Sequence, residues 1–351
     1  MFRRDPLRLT LEQVGEALGR DTTSLLPLAR QALAHGGVIG VSRAGRQQVW
    51  GAGGVPGSGV FELASVTKPF TSALAASLIQ EGRLTWDTPI RSLGPEFRGL
   101  PVHFTPYSLA THTAGLPIHP ARAVMTSVMR FHDPYGSMSP RDVLASARRW
   151  GRATREPRFS YSNLGAGVLA LALAQAAGEE TSSEGFERAL RKRILVPWQL
   201  GSVTLSPHPA ELVTPRAVMG GESATSFGPL VGAGGLFGAA QDLLTFAERH
   251  LSGHLGRHPG SHWHWAQARN VAGLIPPYSA VAPGWFHSAA QGGPVVWHDG
   301  VARGTRAALG FHPSSGRVVT VLVRGGIPLL GQRAAVPLLL LKLLGADLSR
   351  K

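Results

Sequence analysis

Three runs near the C-terminal end constrain the fold most: PVVWHDG (294–300), GTRAALGFHP (304–313) and GRVVTVLVRGG (316–326). Each is rich in apolar and β-branched residues and is bounded by Gly or Pro, as strands are. A parallel pair needs a crossover of a dozen residues or more, and only short turns separate these runs. They must therefore pair antiparallel. Towards the other end, VIGVSRAG (38–45) and RQQVWGAG (46–53) predict a hairpin turning at Ala44-Gly45.

Between these ends the patterning is helical. SLLPLARQALA (24–34) predicts a short amphipathic helix stopped by Gly36-Gly37. Ser65 to Gln80 predicts a strongly apolar helix ended by Gly82, and LGAGVLALALAQAAG (164–178) another. Residues 253–294 read as loop-rich, and a last apolar helix follows Pro328. The expected fold is α+β: an antiparallel β-sheet flanked by terminal helices, with an inserted all-helical region. The expected divisions are an N-terminal extension and helix over 1–36, an α/β region from 37–83 and 241–351, and a mostly helical region over 84–240.

Of the 351 residues 43% are hydrophobic, enough for a sizeable core. The formal charge of +14 raises nucleic acid as a partner. Only four of the 35 basic residues are Lys, however, and the arginines are spread along the chain. The densest group (Arg141, Arg148, Arg149, Arg152, Arg155 and Arg158) recurs largely at helical spacing, as on a solvated face. No nucleic-acid partner is expected. The absence of Cys excludes disulfides and thiol chemistry. The N-terminal MFRRDPLRLTLEQVGEALG holds no apolar run of signal-peptide length, and PLLLLKLLGA (337–346) is short and carries Lys342. A cytoplasmic protein without a membrane partner is the expectation; nothing in the sequence fixes an oligomeric state.

The chemistry concentrates at Ser65-Val66-Thr67-Lys68. At i and i+3 on a helix, Ser and Lys share a face. Pro69 is tolerated only near a helix start, which pins Ser65 to the N-terminal end, where free N–H groups favour negative charge. A Lys held neutral there could take the Ser proton. The other reading is that Lys68 extends to solvent. Next comes Tyr161-Ser162-Asn163, in a chain with four Tyr and two Asn. A Tyr hydroxyl can relay a proton, and an Asn two residues on can hold the Lys and a substrate carbonyl. Alternatively Asn163 caps the following helix and Tyr161 only packs. Third is His298-Asp299-Gly300 at a strand end. A glycine there lets backbone approach a ligand, and the N–H of Val301 could join that of Ser65 as an oxyanion donor.

Taken together and in this order, the three motifs resemble those of the serine β-lactamase and penicillin-binding-protein superfamily, on its class C, DD-peptidase and carboxylesterase side. His298-Asp299-Gly300 stands where many members carry Lys-Thr-Gly. Similar passages are LASVTKPFTSALA (63–75), LATHTAGLP (109–117), RFSYSNLGAG (158–167) and GAGGLFGAAQDLLTF (232–246), so the likeness runs from about residue 37 to the end. The resemblance implies a serine hydrolase with Ser65 as nucleophile, Lys68 and Tyr161 sharing the general-base work, and an acyl-enzyme hydrolysed by water. Asn163, His298, Gly300 and Val301 would bind substrate and the oxyanion, with no cofactor. The substrate would be a small ester, amide or β-lactam. His298 is largely neutral at pH 7 and anchors a carboxylate less well than Lys. That favours an esterase or acyl hydrolase over a β-lactamase or D-amino-acid peptidase; a non-catalytic binding or sensor protein is the further alternative. The resemblance also implies a structural role for His112.

One more pattern stands out. His250, His254, His258 and His262 recur every four residues, with His264 nearby. Gly253, Gly256 and Pro259-Gly260 interrupt any helix there, so a solvated loop is expected and no metal. Trp263 and Trp265 are expected to pack.

Overall fold

A computed structural model describes residues 5–120, 123, 135–151, 156–216, 223–251, 264–325 and 332–348. At its centre is a seven-stranded, wholly antiparallel sheet in the order β2-β1-β9-β8-β7-β6-β5. The strands are β1 (Gly37–Arg43), β2 (Arg46–Ala52), β5 (Ala280–Ala282), β6 (Trp285–Ser288), β7 (Val295–Val301), β8 (Thr305–His312) and β9 (Arg317–Arg324). A separate pair joins β3 (Val60–Glu62) to β4 (Phe237–Ala239). The hairpin turns where the sequence places it, with Ala44 and Gly45 both at positive φ. Strand β1 pairs with β9, which brings the two ends of the chain into one sheet.

Alternation along the strands divides the core in two. In β9, Val319, Val321 and Val323 face one layer. That layer holds α1 (Pro6–Leu18), α2 (Leu26–Ala32) and α10 (Gln332–Leu344). Val318 and Leu322 face the other, against α9 (Ala240–Leu251) and the helices beyond it. Those helices are α3 (Thr67–Gln80), α4 (Pro106–Ala110), α5 (Pro140–Trp150), α6 (Asn163–Ala176), α7 (Ser183–Leu190) and the single turn α8 (Val231–Gly234). Helix α6 is buried from Leu164 to Ala174 on every side and forms the axis of this region. Arg141, Arg148 and Arg149 lie exposed on α5, and Arg158 is also exposed; Arg152 and Arg155 fall outside the described residues.

The α+β architecture is as expected, and several elements differ. Helix α1 was not anticipated, although Asp5 caps it, Pro6 opens it and Gly19 closes it in the left-handed region. Strands β5 and β6 lie inside the stretch expected to be loop; at three and four residues they are too short for alternation to register. The helix expected from Ser65 begins at Thr67, after a 3₁₀ turn over Ala64–Val66. No helix among the described residues is long and apolar enough to cross a membrane.

Candidate active site

The segment before α3 is held on both sides. Leu63 N–H donates to the Leu236 carbonyl (2.9 Å), and Leu236 N–H donates to Thr67 Oγ1 (3.1 Å). Between them Ala64, buried and not glycine, sits at φ 46°, a conformation that costs free energy and persists only where packing enforces it. The result is a tight turn that presents Ser65 half-buried at the mouth of α3.

One helical turn on, Lys68 is 3% exposed, which overturns the reading of a side chain reaching solvent. Its Nζ lies 2.9 Å from Ser65 Oγ, 2.9 Å from Asn163 Oδ1 and 2.7 Å from the Ala233 carbonyl oxygen. Burial pushes the Lys68 amine well below its ordinary value; Asp299 works in the opposite direction. The amine also sits 4.8 Å from the Tyr161 ring centroid. The Tyr161 phenol is driven upward by desolvation, against a hydrogen bond with Ser65. Burial thus disfavours the protonated form of one group and the ionised form of the other around a single hydroxyl.

Asn163 opens α6, but it is not the cap. Ser162 caps the helix, accepting from Gly165 N–H (2.8 Å) and donating to the Pro117 carbonyl (2.6 Å). The Asn163 amide is therefore left for Lys68. His112, at φ 59° and buried, fixes this stretch: its Nδ1 accepts from Ser162 N–H (3.1 Å) and its carbonyl from Ser160 N–H (2.8 Å). Its ring packs 4.4 Å from that of Tyr161.

Strand β7 closes the site. His298 is 1% exposed and stacks on Phe286 at 4.7 Å. Its Nδ1–H donates to the Asp299 carbonyl (2.8 Å), leaving Nε2 buried without a hydrogen-bond partner. Desolvation, with the Lys68 charge adding to it, pushes its pKa down to about 3, so this imidazole is neutral. Gly300 lies directly against the Ser65 turn, and Val301 ends the strand opposite Arg306. All seven residues singled out from the sequence thus belong to one locality: Lys68 in contact with Ser65, Asn163 and Tyr161, His298 and Gly300 on the facing strand, Val301 at its end.

The sequence did not single out Tyr135, His119 or Glu62. Tyr135 is buried, hydrogen-bonds Asn163 and meets His119 Nδ1 at 2.6 Å. Burial raises its phenol to about 12. Glu62, 3% exposed, accepts from Thr225 N–H (2.6 Å) and Thr305 Oγ1 (3.2 Å), tying β3 to β8. A buried acid within an apolar run was its only signal. The histidine stripe reads differently in three dimensions. His250 and His264 are buried, their rings 5.1 Å apart among Trp198, Phe246 and Trp285, and are not solvated as expected. His254, His258, His262 and Trp263 lie outside the described residues; Trp265 packs edge-on against Phe311 at 5.4 Å. Among the described residues no three potential metal ligands cluster.

Known proteins share this framework. The chain is 26% identical over 206 residues to the D-alanyl-D-alanine-carboxypeptidase/endopeptidase AmpH of Escherichia coli strain K12, covering 55% of this chain and 49% of that protein. It spans about half the length of the curated relatives it matches. The β-lactamase/D-alanine carboxypeptidase from Pseudomonas syringae superposes with a TM-score of 0.73 at 18% identity, over 95% of this chain and 99% of that one. A class C β-lactamase from Rhodobacter sphaeroides gives 0.72 at 21% identity, over 93% and 99%. A D-stereospecific amidohydrolase from Streptomyces sp. gives 0.71 at 19%, over 90% and 96%. At these identities the likeness is one of fold. The family model described as Beta-lactamase, however, matches residues 27–341, from α2 into α10 and through every motif of the site. The chain therefore belongs to the Beta-lactamase family, whose members are β-lactamase-fold serine hydrolases.

Proposed function

We propose that this protein hydrolyses esters or amides through a covalent acyl-enzyme on Ser65, as an esterase or related acyl hydrolase. The observation that carries the reading is the buried Lys68 amine 2.9 Å from Ser65 Oγ. A deprotonated amine has two N–H groups and one lone pair. The N–H groups match the two acceptors at Asn163 and Ala233, and the lone pair is left for the Ser65 hydroxyl. Lys68 is then the general base, which the direction of its pKa supports. Tyr161, held protonated, hands a proton to the leaving group and recovers one through Ser65 and Lys68. The N–H groups of Ser65 and Val301 stabilise the oxyanion, and Asn163 orients Lys68 and the substrate. Water completes the cycle by attacking the acyl-enzyme.

A second reading, β-lactamase or D-amino-acid peptidase, is supported by the names of the relatives. The neutral, buried His298 weighs against it, since it offers no charge to a substrate carboxylate. Intact mass spectrometry of the protein and of Ser65→Ala, with a fluorophosphonate, a p-nitrophenyl ester and a chromogenic cephalosporin, decides between them. The expected result is an adduct on wild type alone, with turnover of the ester. Turnover of the cephalosporin instead would move the second reading to the front. No adduct from any of the three would leave a non-catalytic binding protein.

A further inference from the structure

From the Ser65 hydroxyl a line of contacts runs outward to solvent. Lys68 Nζ lies 2.9 Å from Ser65 Oγ and donates to Asn163 Oδ1 at 2.9 Å. The Asn163 amide bonds the Tyr135 phenol, whose oxygen lies 2.6 Å from His119 Nδ1. Lys68 and Tyr135 are buried, and His119, at the outer end, is exposed. The outer members are held in place. The Ile118 carbonyl accepts from Asn163 N–H (2.9 Å), and the Tyr135 ring stacks on Phe227 at 5.8 Å. His119 is thus joined to the nucleophile although it belongs to none of the three motifs.

Counting donors and acceptors gives each bond in the line a direction. Lys68 takes the Asn163 oxygen, so the amide nitrogen turns to Tyr135 and the phenol oxygen accepts. The phenol proton then goes to His119 Nδ1, which must carry a lone pair while Nε2 carries the proton. With His119 neutral, every buried group in the line has a complementary partner. Protonation puts an N–H at Nδ1 as well. The Tyr135 oxygen then faces two donors, and its own buried proton loses its acceptor. Turning the Asn163 amide over restores an acceptor to Tyr135, but it withdraws the oxygen from Lys68.

We propose that His119 is a pH-sensing positioning residue: neutral, it holds Tyr135 so that Asn163 offers its oxygen to Lys68, and protonated, it breaks that arrangement and slows acylation. The titratable groups that face it among the described residues are Tyr135, ahead of α5, and Lys68, on α3; Asn163, on α6, does not titrate. Desolvation, with Lys68 adding to it, holds His119 below its ordinary value, so the neutral arrangement is the one present at pH 7. The effect on rate rests on Ser65 and Lys68 acting as proposed above. The tautomer of His119 and its coupling to the Asn163 amide do not.

The test compares rates of Ser65 labelling by a fluorophosphonate in wild type and His119→Asn between pH 8 and pH 5. The Asn side chain brings an amide oxygen near the place of Nδ1 and does not titrate. The variant-to-wild-type ratio cancels the titration of Lys68. It is expected to stay near one at pH 8 and to rise about tenfold by pH 5. In a Tyr135→Phe background the same ratio should not change with pH. A ratio independent of pH in the wild-type background assigns His119 to packing and overturns the proposal. An equal rise in both backgrounds means that the imidazolium charge acts on Lys68 directly, which also overturns it. If Ser65 is not labelled at any pH, the acyl-enzyme reading fails first, and NMR of protein labelled at His and Asn decides the coupling. The chain has two Asn, so the side-chain amide of Asn163 is readily identified. At pH 8 His119 is expected to carry its proton on Nε2. The Asn163 amide signal should follow the His119 titration in wild type and not in Tyr135→Phe. A proton on Nδ1 at pH 8, or an Asn163 signal indifferent to His119, overturns the proposal.

Discussion

A Cβ on Gly300 would stand 3.1 Å from the backbone nitrogen of Ser65. It would also run into the carbonyl oxygen of Leu63. Strand and Ser65 turn are in contact at this point, so the oxyanion geometry proposed for this site depends on a missing methyl group. Gly300→Ala is expected to push the turn away and lower the rate of Ser65 labelling about 10²-fold, because displacements near 1 Å cost that much in a preorganised site. Labelling kinetics beside a melting curve check this. A wild-type rate would show that the contact is relaxed at no cost.

Lys68 makes a pH prediction with an unusual sign. Its folded pKa is depressed, whereas the unfolded chain keeps a value near 10.5. Between the two, the unfolded state binds the extra proton, so stability rises with pH across that window. Lys68→Met should therefore gain most stability over wild type at the low end of the window and lose the advantage towards pH 10.5. The same variant should acylate at least about 10²-fold more slowly. In wild type, acylation should rise with pH as Lys68 deprotonates and then level off. A melting series with matched labelling rates measures all three, and an acylation rate that falls over the same range would rule Lys68 out as the base.

Buried neutral histidines predict acid lability. His298 and His250 fall to about 3 and about 4, both by desolvation, from 6.5 unfolded. Below pH 6.5 the unfolded chain protonates first, so stability is lost as pH falls towards the folded values. Each group contributes at most about 1.4 kcal/mol per pH unit. His250→Leu gives up the bond from Nδ1–H to the Phe246 carbonyl and should be less stable at pH 7. Its stability should nonetheless decline less steeply than wild type between pH 6.5 and 4. Denaturant melts at several pH values would show parallel slopes if the histidine is not responsible.

Tyr135 is expected to be a positioning residue. The Asn163 amide can give Oδ1 to Lys68 because its nitrogen has the Tyr135 oxygen to donate to. Tyr135→Phe removes that oxygen without changing the ring that packs on Phe227. The expected effect is about tenfold on kcat, with little change in KM or melting temperature. His119→Ala, one bond further out, should do less. A change confined to melting temperature would assign Tyr135 to packing alone.

Much of this was legible because the signals are local. Short turns between apolar runs dictated an antiparallel sheet, and a Ser and a Lys three apart before Pro69 marked a helix start. The spacing of Tyr161 and Asn163 flagged the second motif. Burial decided the rest. Lys68 and Asn163 are 95 residues apart, and only the packing of α3 against α6 and α8 brings them together and strips water from the amine. The packing of α9 against the sheet likewise set His250, with His264 beside it, in an aromatic cluster and not in the expected solvated loop. Tyr135 and Glu62 carry no spacing signal, and long-range contacts alone place them. The sequence by itself determined most element types, α1, β5 and β6 excepted, and the identity of the candidate reactive groups, since those follow from periodicity, turn chemistry and residue identity within a few positions. Only the tertiary structure decided protonation, because a pKa is set by desolvation and by charges that the chain brings near from far along its length.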